Sequence, residues 1–169
     1  YNGLHLDKNI IKQLIDLKEI IEEKSKNNKI YIFGNGGSAA IASHVAVDFS
    51  KNAQTNMMTF NEYDHITCLA NDYGFENVFN RQVQALANKN DVVIGISTSG
   101  KSQNVINALK LSTVLKCKTI GLSGKNDNEM KKICDINIAV DSMDTARIQE
   151  MHILIGHTIC HLIDQEWSD

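Results

Sequence analysis

Three short apolar runs, each closing on a glycine- or serine-containing turn, dictate most of what this chain can fold into. They are Ile30-Tyr31-Ile32-Phe33, Val92-Val93-Ile94-Gly95-Ile96 and Thr119-Ile120-Gly121-Leu122. A strand with one face in water alternates apolar and polar residues. A run without alternation is a strand covered on both faces, as in a parallel sheet between two layers of helices. Weaker runs of the same kind are Met57-Met58-Thr59-Phe60 and Ile136-Asn137-Ile138-Ala139-Val140. Helical stretches fill the intervals, at roughly 7–27, 38–52, 74–88, 102–116, 126–133 and 145–166. The first is marked by Ile10, Ile11, Leu14, Ile15, Leu17, Ile20 and Ile21 at spacings of three and four. Strands alternating with helices predict an α/β fold, a doubly wound parallel sheet of five strands. The expectation is a single domain over 1–169, with flanking helices at about 7–27 and 145–166 around a core at 30–140.

A chain of 169 residues can bury a sufficient core without staples. The net charge of -3 provides no general attraction to nucleic acid or an anionic membrane. An anionic ligand would have to be held locally, by amides, hydroxyls and helix ends. Cys68, Cys117, Cys134 and Cys160 lie in apolar stretches without a CxxC pair, so buried free thiols are expected. No segment reads as a signal peptide or as a span of about 20 apolar residues, and the expected location is the cytoplasm.

Ligands of doubly wound sheets bind beyond the carboxyl ends of the strands, where loops open into helix N-termini. That rule selects the loops after Phe33, Ile96 and Leu122. The loop after Ile96 reads Ser97-Thr98-Ser99-Gly100-Lys101-Ser102 and enters a helix at Gln103. Its hydroxyls, with the amides and partial positive charge of the helix start, suit a phosphate. A capping role for Ser102 accounts for one serine and leaves the cluster unexplained. The loop after Phe33 reads Gly34-Asn35-Gly36-Gly37-Ser38, with the helix expected near Ser38 and Ser38 as its cap. It matches neither GxGxxG nor GxxxxGK[ST], so the dinucleotide and P-loop fingerprints are excluded. Two such loops together predict a bipartite small-molecule site.

His44 and Asp48 are four apart on the following helix and share a face, a pattern that serves a metal, a base or a plain surface hydrogen bond. The last helix carries Gln149, His152, His157 and His161. His157 and His161 form a competing i, i+4 pair, and a core histidine bonded to a carbonyl is a further role. Gln149 and His157 stand about 80° apart around the helix and about 12 Å along it. They could meet one ion only by leaning across Gly156. Spacing does not choose among these histidines.

Taken together these residues resemble the SIS (sugar isomerase) domain family and, within it, the phosphoheptose isomerases. The matching segments are 34–40, Ala70-Asn71-Asp72-Tyr73-Gly74-Phe75, Gly95 through Ser102, and Asp144 through His157, in order within about 7–166. The resemblance implies a flavodoxin-like five-stranded core and a homotetramer with active sites between subunits. It also implies conversion of sedoheptulose 7-phosphate to D-glycero-D-manno-heptose 7-phosphate through an enediol, the entry to bacterial heptose synthesis that feeds lipopolysaccharide or capsule. Carried across by position, Ser97, Thr98, Ser99 and Ser102 hold the phosphate, while Asn35, Gly36, Gly37, Ser38, Asn71, Asp72, Asp48 and Gln149 line the sugar. His44, Asp48, Gln149 and His157 match a zinc site, one ion per subunit, and Asp48 and His157 match the acid/base pair. Two positions depart from the family pattern: Asp48 stands where Glu is usual, and Asn52 where some members carry an arginine. The alternatives are an isomerase for another sugar phosphate, a non-catalytic SIS module that senses sugar phosphates or binds a partner, and a flavin-phosphate protein. The last is disfavoured by 6% aromatic residues and no ring-stacking loop.

Overall fold

The computed structural model describes residues 8–125 and 128–167, the side chains of the last three excepted. Its strands are β1 (Ile30–Gly34), β2 (Met57–Thr59), β3 (Val92–Ser97), β4 (Lys118–Gly124) and β5 (Ile136–Val140). All pair in parallel, in the order β2-β1-β3-β4-β5. This is the flavodoxin-like winding, whose direction reverses between β1 and β3. The expected α/β class and five-stranded parallel sheet are therefore present.

The lack of alternation in the strands has the expected cause. Ile30 and Ile32 of β1, with Ile94 and Ile96 of β3, enter one core against α1 (Lys8–Ser25), α2 (Gly37–Lys51) and α7 (Thr145–Trp167). Tyr31, Phe33 and Val93 enter a second core on the other face, against α4 (Val78–Leu86), α5 (Gln103–Val114) and the short α6 (Met130–Ile133). Tyr31, Phe60, Phe33 and Phe79 stack in series in that second core, with centroids 5.0, 5.5 and 4.8 Å apart. Gly95 lets α5 lie close on the sheet, because a Cβ there would meet Val105 Cγ1 at 2.8 Å.

The structure adds one helix to the expected set, α3 (Tyr63–Tyr73), followed by a 3-10 turn over Phe75–Asn77. None of its residues is fully buried; Ile66, Leu69 and Ala70 only lean on the second core. The expected helix at 74–88 accordingly divides into that turn and α4. Part of the helix expected at 126–133 falls on 126 and 127, outside the described residues, and α6 begins at Met130. Cys117 and Cys160 are buried thiols, but Cys68 is exposed because it lies on α3, a helix that buries nothing completely. No helix among the described residues is long and apolar enough to cross a membrane.

Candidate active site

The loops after Phe33 and Ile96 flank the point where the sheet reverses. Gly34 at the end of β1 lies opposite Ile96 at the end of β3, so the chain leaves both strands side by side. The helix after β1 starts at Gly37, with Gly36 as its N-cap at φ +54° and no capping side chain. Ser38 is therefore not the cap; it lies inside the first turn and is buried. The reason is steric. Ser38 packs onto Gly34, where a Cβ would meet Ser38 Cβ at 2.7 Å, and this fixes the serine inside the turn. Asn35 is gripped from the start of α5: Asn35 Nδ2 donates to Asn104 Oδ1 and Asn104 Nδ2 donates back to Asn35 Oδ1, both at 2.9 Å. Asn104, buried in the first turn of α5, thereby ties the two halves of the site together. Sequence reading passed it over, since a lone helical Asn carries no pattern.

In the hydroxyl loop Ser97 Oγ stands 2.9 Å from Ser102 Oγ and 3.5 Å from Ser99 Oγ. Ser102 holds the N-cap position of α5, yet its side chain caps no amide and turns instead to Ser97. Gly100 sits at φ +64°, and the Thr98 carbonyl accepts from the Gly124 amide at 3.0 Å. Three hydroxyls thus gather at the mouth of a 12-residue helix, an arrangement that presents donors to an anion. Asn71 and Asp72 occupy the last turn of α3, where Asn71 Nδ2 donates to Asp72 Oδ1 at 2.8 Å. No hydrogen bond among the described residues joins them to either loop.

Two turns down α2 the i, i+4 pair acquires a third member. His44 Nε2 lies 3.0 Å from His157 Nε2, and Asp48 Oδ2 lies 3.2 Å from His44 Nε2 and 3.4 Å from His157 Nε2. Gly156 makes this meeting possible, because a Cβ there would lie 2.5 Å from Val45 Cγ2, so α2 and α7 approach as only a glycine allows. Three atoms with lone pairs at such distances repel unless a proton or a cation sits among them. A tetrahedral ion with bonds of about 2.0–2.1 Å sets its ligands about 3.3 Å apart, and the three edges here, at 3.0, 3.2 and 3.4 Å, lie around that spacing. The donor set, two imidazoles and a carboxylate, suits zinc. The one-methylene-shorter carboxylate of Asp48 reaches both rings.

Gln149 lies elsewhere in the same chain. Its amide covers Gly37, where a Cβ would sit 2.5 Å from Gln149 Nε2. Gly37 precedes His44 by seven residues, or about 10 Å along α2. Gln149 thus stands over the glycine loop and makes no described contact with the His44–Asp48–His157 group.

The remaining histidines of α7 divide cleanly. His161 is exposed and outside the cluster, whereas His152 is 0% exposed and bonds the Ser123 carbonyl through Nε2 at 3.2 Å. Burial pushes the His152 imidazole down to about 4, against a partial opposing pull from that carbonyl. The unfolded chain binds a proton there first, so the neutral ring's stabilisation is complete above pH 6.5 and is lost as pH falls toward 4. Relative to a His152→Gln variant, the protein is expected to lose about 2 kcal/mol between pH 7.5 and pH 5, read from urea unfolding midpoints. Parallel pH curves for the two proteins would contradict this.

Fold and site together define a sugar isomerase (SIS) domain, and residues 6–124 match the SIS domain family. A phosphoheptose isomerase of Aliarcobacter butzleri is 50% identical over 157 residues, covering 89% of this chain and 83% of that protein. One from Campylobacter jejuni (strain 81116) is 52% identical over 146 residues, covering 83% of this chain and 78% of its own. The solved phosphoheptose isomerase of Neisseria gonorrhoeae superposes with a TM-score of 0.88 at 36% identity, covering 94% of this chain and 88% of that one. The chain belongs to the phosphoheptose isomerase family of SIS-domain enzymes.

Proposed function

We propose that this enzyme converts sedoheptulose 7-phosphate to D-glycero-D-manno-heptose 7-phosphate, the first step of heptose synthesis for surface glycans, in the cytoplasm. The observation that carries the reading is the meeting of His44, Asp48 and His157 across α2 and α7, below two ligand loops at the reversal of the sheet. Ser97, Thr98, Ser99 and Ser102 bind the phosphate with the amides at the start of α5. Asn35, Gly36, Gly37, Ser38, Asn71, Asp72 and Gln149 surround the carbon chain. Because both heteroatoms of the Asn35 amide already pair with Asn104, Asn35 contributes chiefly by shaping the loop and presenting its backbone.

The chemistry is proton transfer between neighbouring carbons and neighbouring oxygens. A base takes the proton from C1 of the ketose, giving an enediol, and a proton returns to C2. The O1 hydroxyl gives up its proton as the aldehyde forms, and O2 gains one. Asp48 and His157 divide these tasks. His44, Asp48 and His157 would hold a zinc ion, which when bound polarises the sugar oxygens and stabilises negative charge. The two histidines face each other through Nε2, so that nitrogen of His157 either binds the ion or moves a proton, not both at once.

Assembly completes the site in this reading. The group sits about 10 Å below the loop mouth, on a face that also exposes Val47 and Leu154. Beside it Ile11, Ile15, Leu154 and Leu162 line an apolar groove between α1 and α7. Exposed apolar area of this kind is stabilised by burial against another subunit. A homotetramer would bury it. The test is turnover of sedoheptulose 7-phosphate, with and without zinc, on protein whose mass is measured in the same buffer. Tetrameric protein forming the aldoheptose phosphate is expected; failure to convert it under either condition would refute the assignment.

A further inference from the structure

Behind the hydroxyl loop lies a buried polar cluster that the chemistry above does not use. Ser97 in β3 is paired with Ser123 in β4, and Ser123 is 0% exposed. Both of its polar ends are held. Ser123 Oγ accepts from Asn137 Nδ2 of β5 at 3.0 Å and from Asn128 Nδ2 at 3.4 Å. Its carbonyl accepts from His152 Nε2 of α7 at 3.2 Å. Among the described residues the buried His152 Nδ1 meets no partner, so the ring's hydrogen bond is committed to that one carbonyl.

The loop rests on this cluster at three points. Ser97 is in register with Ser123, and the Gly124 amide donates to the Thr98 carbonyl at 3.0 Å. Gly100, at φ +64°, lies flat on Asn128: a Cβ there would fall 2.3 Å from Asn128 Cγ and 2.6 Å from Asn128 Nδ2. Gly124 is held as closely, since its Cβ would lie 2.6 Å from the Thr98 carbonyl.

Polar side chains at these positions cost stability relative to apolar ones unless each is paired. A stable sheet does not need them. What a connected polar network adds is a single arrangement, since its members are satisfied only at one spacing and orientation. Here that arrangement fixes the end of β4, Gly124 and Asn128, which are the surfaces that set the path of the loop.

We infer that Ser123 is the fixed post that holds the Ser97–Ser102 loop in its anion-binding shape, with Asn128 and His152 as positioning residues that never touch the ligand. The inference rests on the phosphate-loop reading above. Ser123→Ala removes the hydroxyl that both asparagines share while leaving the volume almost unchanged. Inorganic phosphate, titrated calorimetrically and used as a competitive inhibitor, reads the loop apart from the chemistry. The expected result is a rise in phosphate Kd and in sugar-phosphate KM together, roughly tenfold, the scale of one buried hydrogen bond. kcat and zinc content should stay unchanged, and Ser123→Thr, which keeps the hydroxyl, should recover much of the loss.

Lower thermal stability with unchanged phosphate Kd would overturn the inference, as would a fall in kcat at constant KM. If the unaltered protein binds no phosphate, the loop reading fails and this inference falls with it. If the unaltered protein binds phosphate and Ser123→Ala binds it equally well, only the post is refuted. Should Ser123→Ala not fold, Asn128→Ala makes the same measurement from the other end of the contact with Gly100.

Discussion

Alanine in place of His157 is expected to lower kcat for the heptose phosphate by about 10²–10⁴-fold, the scale of a lost general acid or base. The side chain is 50% exposed and packs in neither core, so circular dichroism and the unfolding midpoint should remain those of the unaltered protein. Zinc content should fall in the same variant, because Nε2 is one of the three converging atoms. His161→Ala, one turn further along α7 and outside the cluster, is the control expected to keep both activity and zinc. Turnover that survives His157→Ala would remove this residue from the mechanism, whatever became of the metal.

The second large effect is expected at Gly100. Alanine there meets two obstacles at once, a φ of +64° and a Cβ placed 2.3 Å from Asn128 Cγ. The positive φ alone costs roughly 1–2 kcal/mol for an L residue. The collision cannot be relieved by swinging Asn128 away, because Asn128 is 4% exposed and hydrogen-bonded to Ser123 and to the Lys131 amide. The loop itself must move, and a displacement near 1 Å is worth about 100-fold in a positioned site. KM and the phosphate inhibition constant should rise by that factor. Gly36→Ala separates the two causes: φ is +54° there, but no described residue lies within 4 Å of the added Cβ, so strain acts without collision. An unaltered KM in Gly100→Ala would refute the phosphate assignment of the loop.

Much of the fold was legible because its signals are local. The runs at Ile30, Val92 and Thr119 have no polar alternation, and that pattern has one common physical cause, burial on both faces. The loops after Phe33 and Ile96 stood out because small and hydroxylated residues gather where strands give way to helices. What escaped had no local signature. α3 buries no residue fully, so its apolar spacing was too thin to mark a helix. Ser38 and Ser102 were natural caps by position, yet one packs on Gly34 and the other turns to Ser97. Asn104, Asn128 and Ser123 are single polar residues whose importance comes from partners 69, 5 and 14 positions away.

The histidines of α7 show the same boundary most clearly. Helical spacing put His157 and His161 on one face and could not rank them, since they differ by a single turn along the axis. The ranking depends on how far α7 is slid along α2, and packing sets that slide: Val45 seats at Gly156, which carries His157 to His44 and leaves His161 beyond the cluster. Sequence by itself determined the sheet, the two small-residue loops that leave β1 and β3 and the residue types available for chemistry, because periodicity and turn composition act over a few neighbouring residues. The resemblance pointed to His157, and the tertiary structure supplied the physical reason; the structure alone decided where Gln149 lies and what packs behind the Ser97–Ser102 loop, because these depend on contacts between elements far apart in the chain.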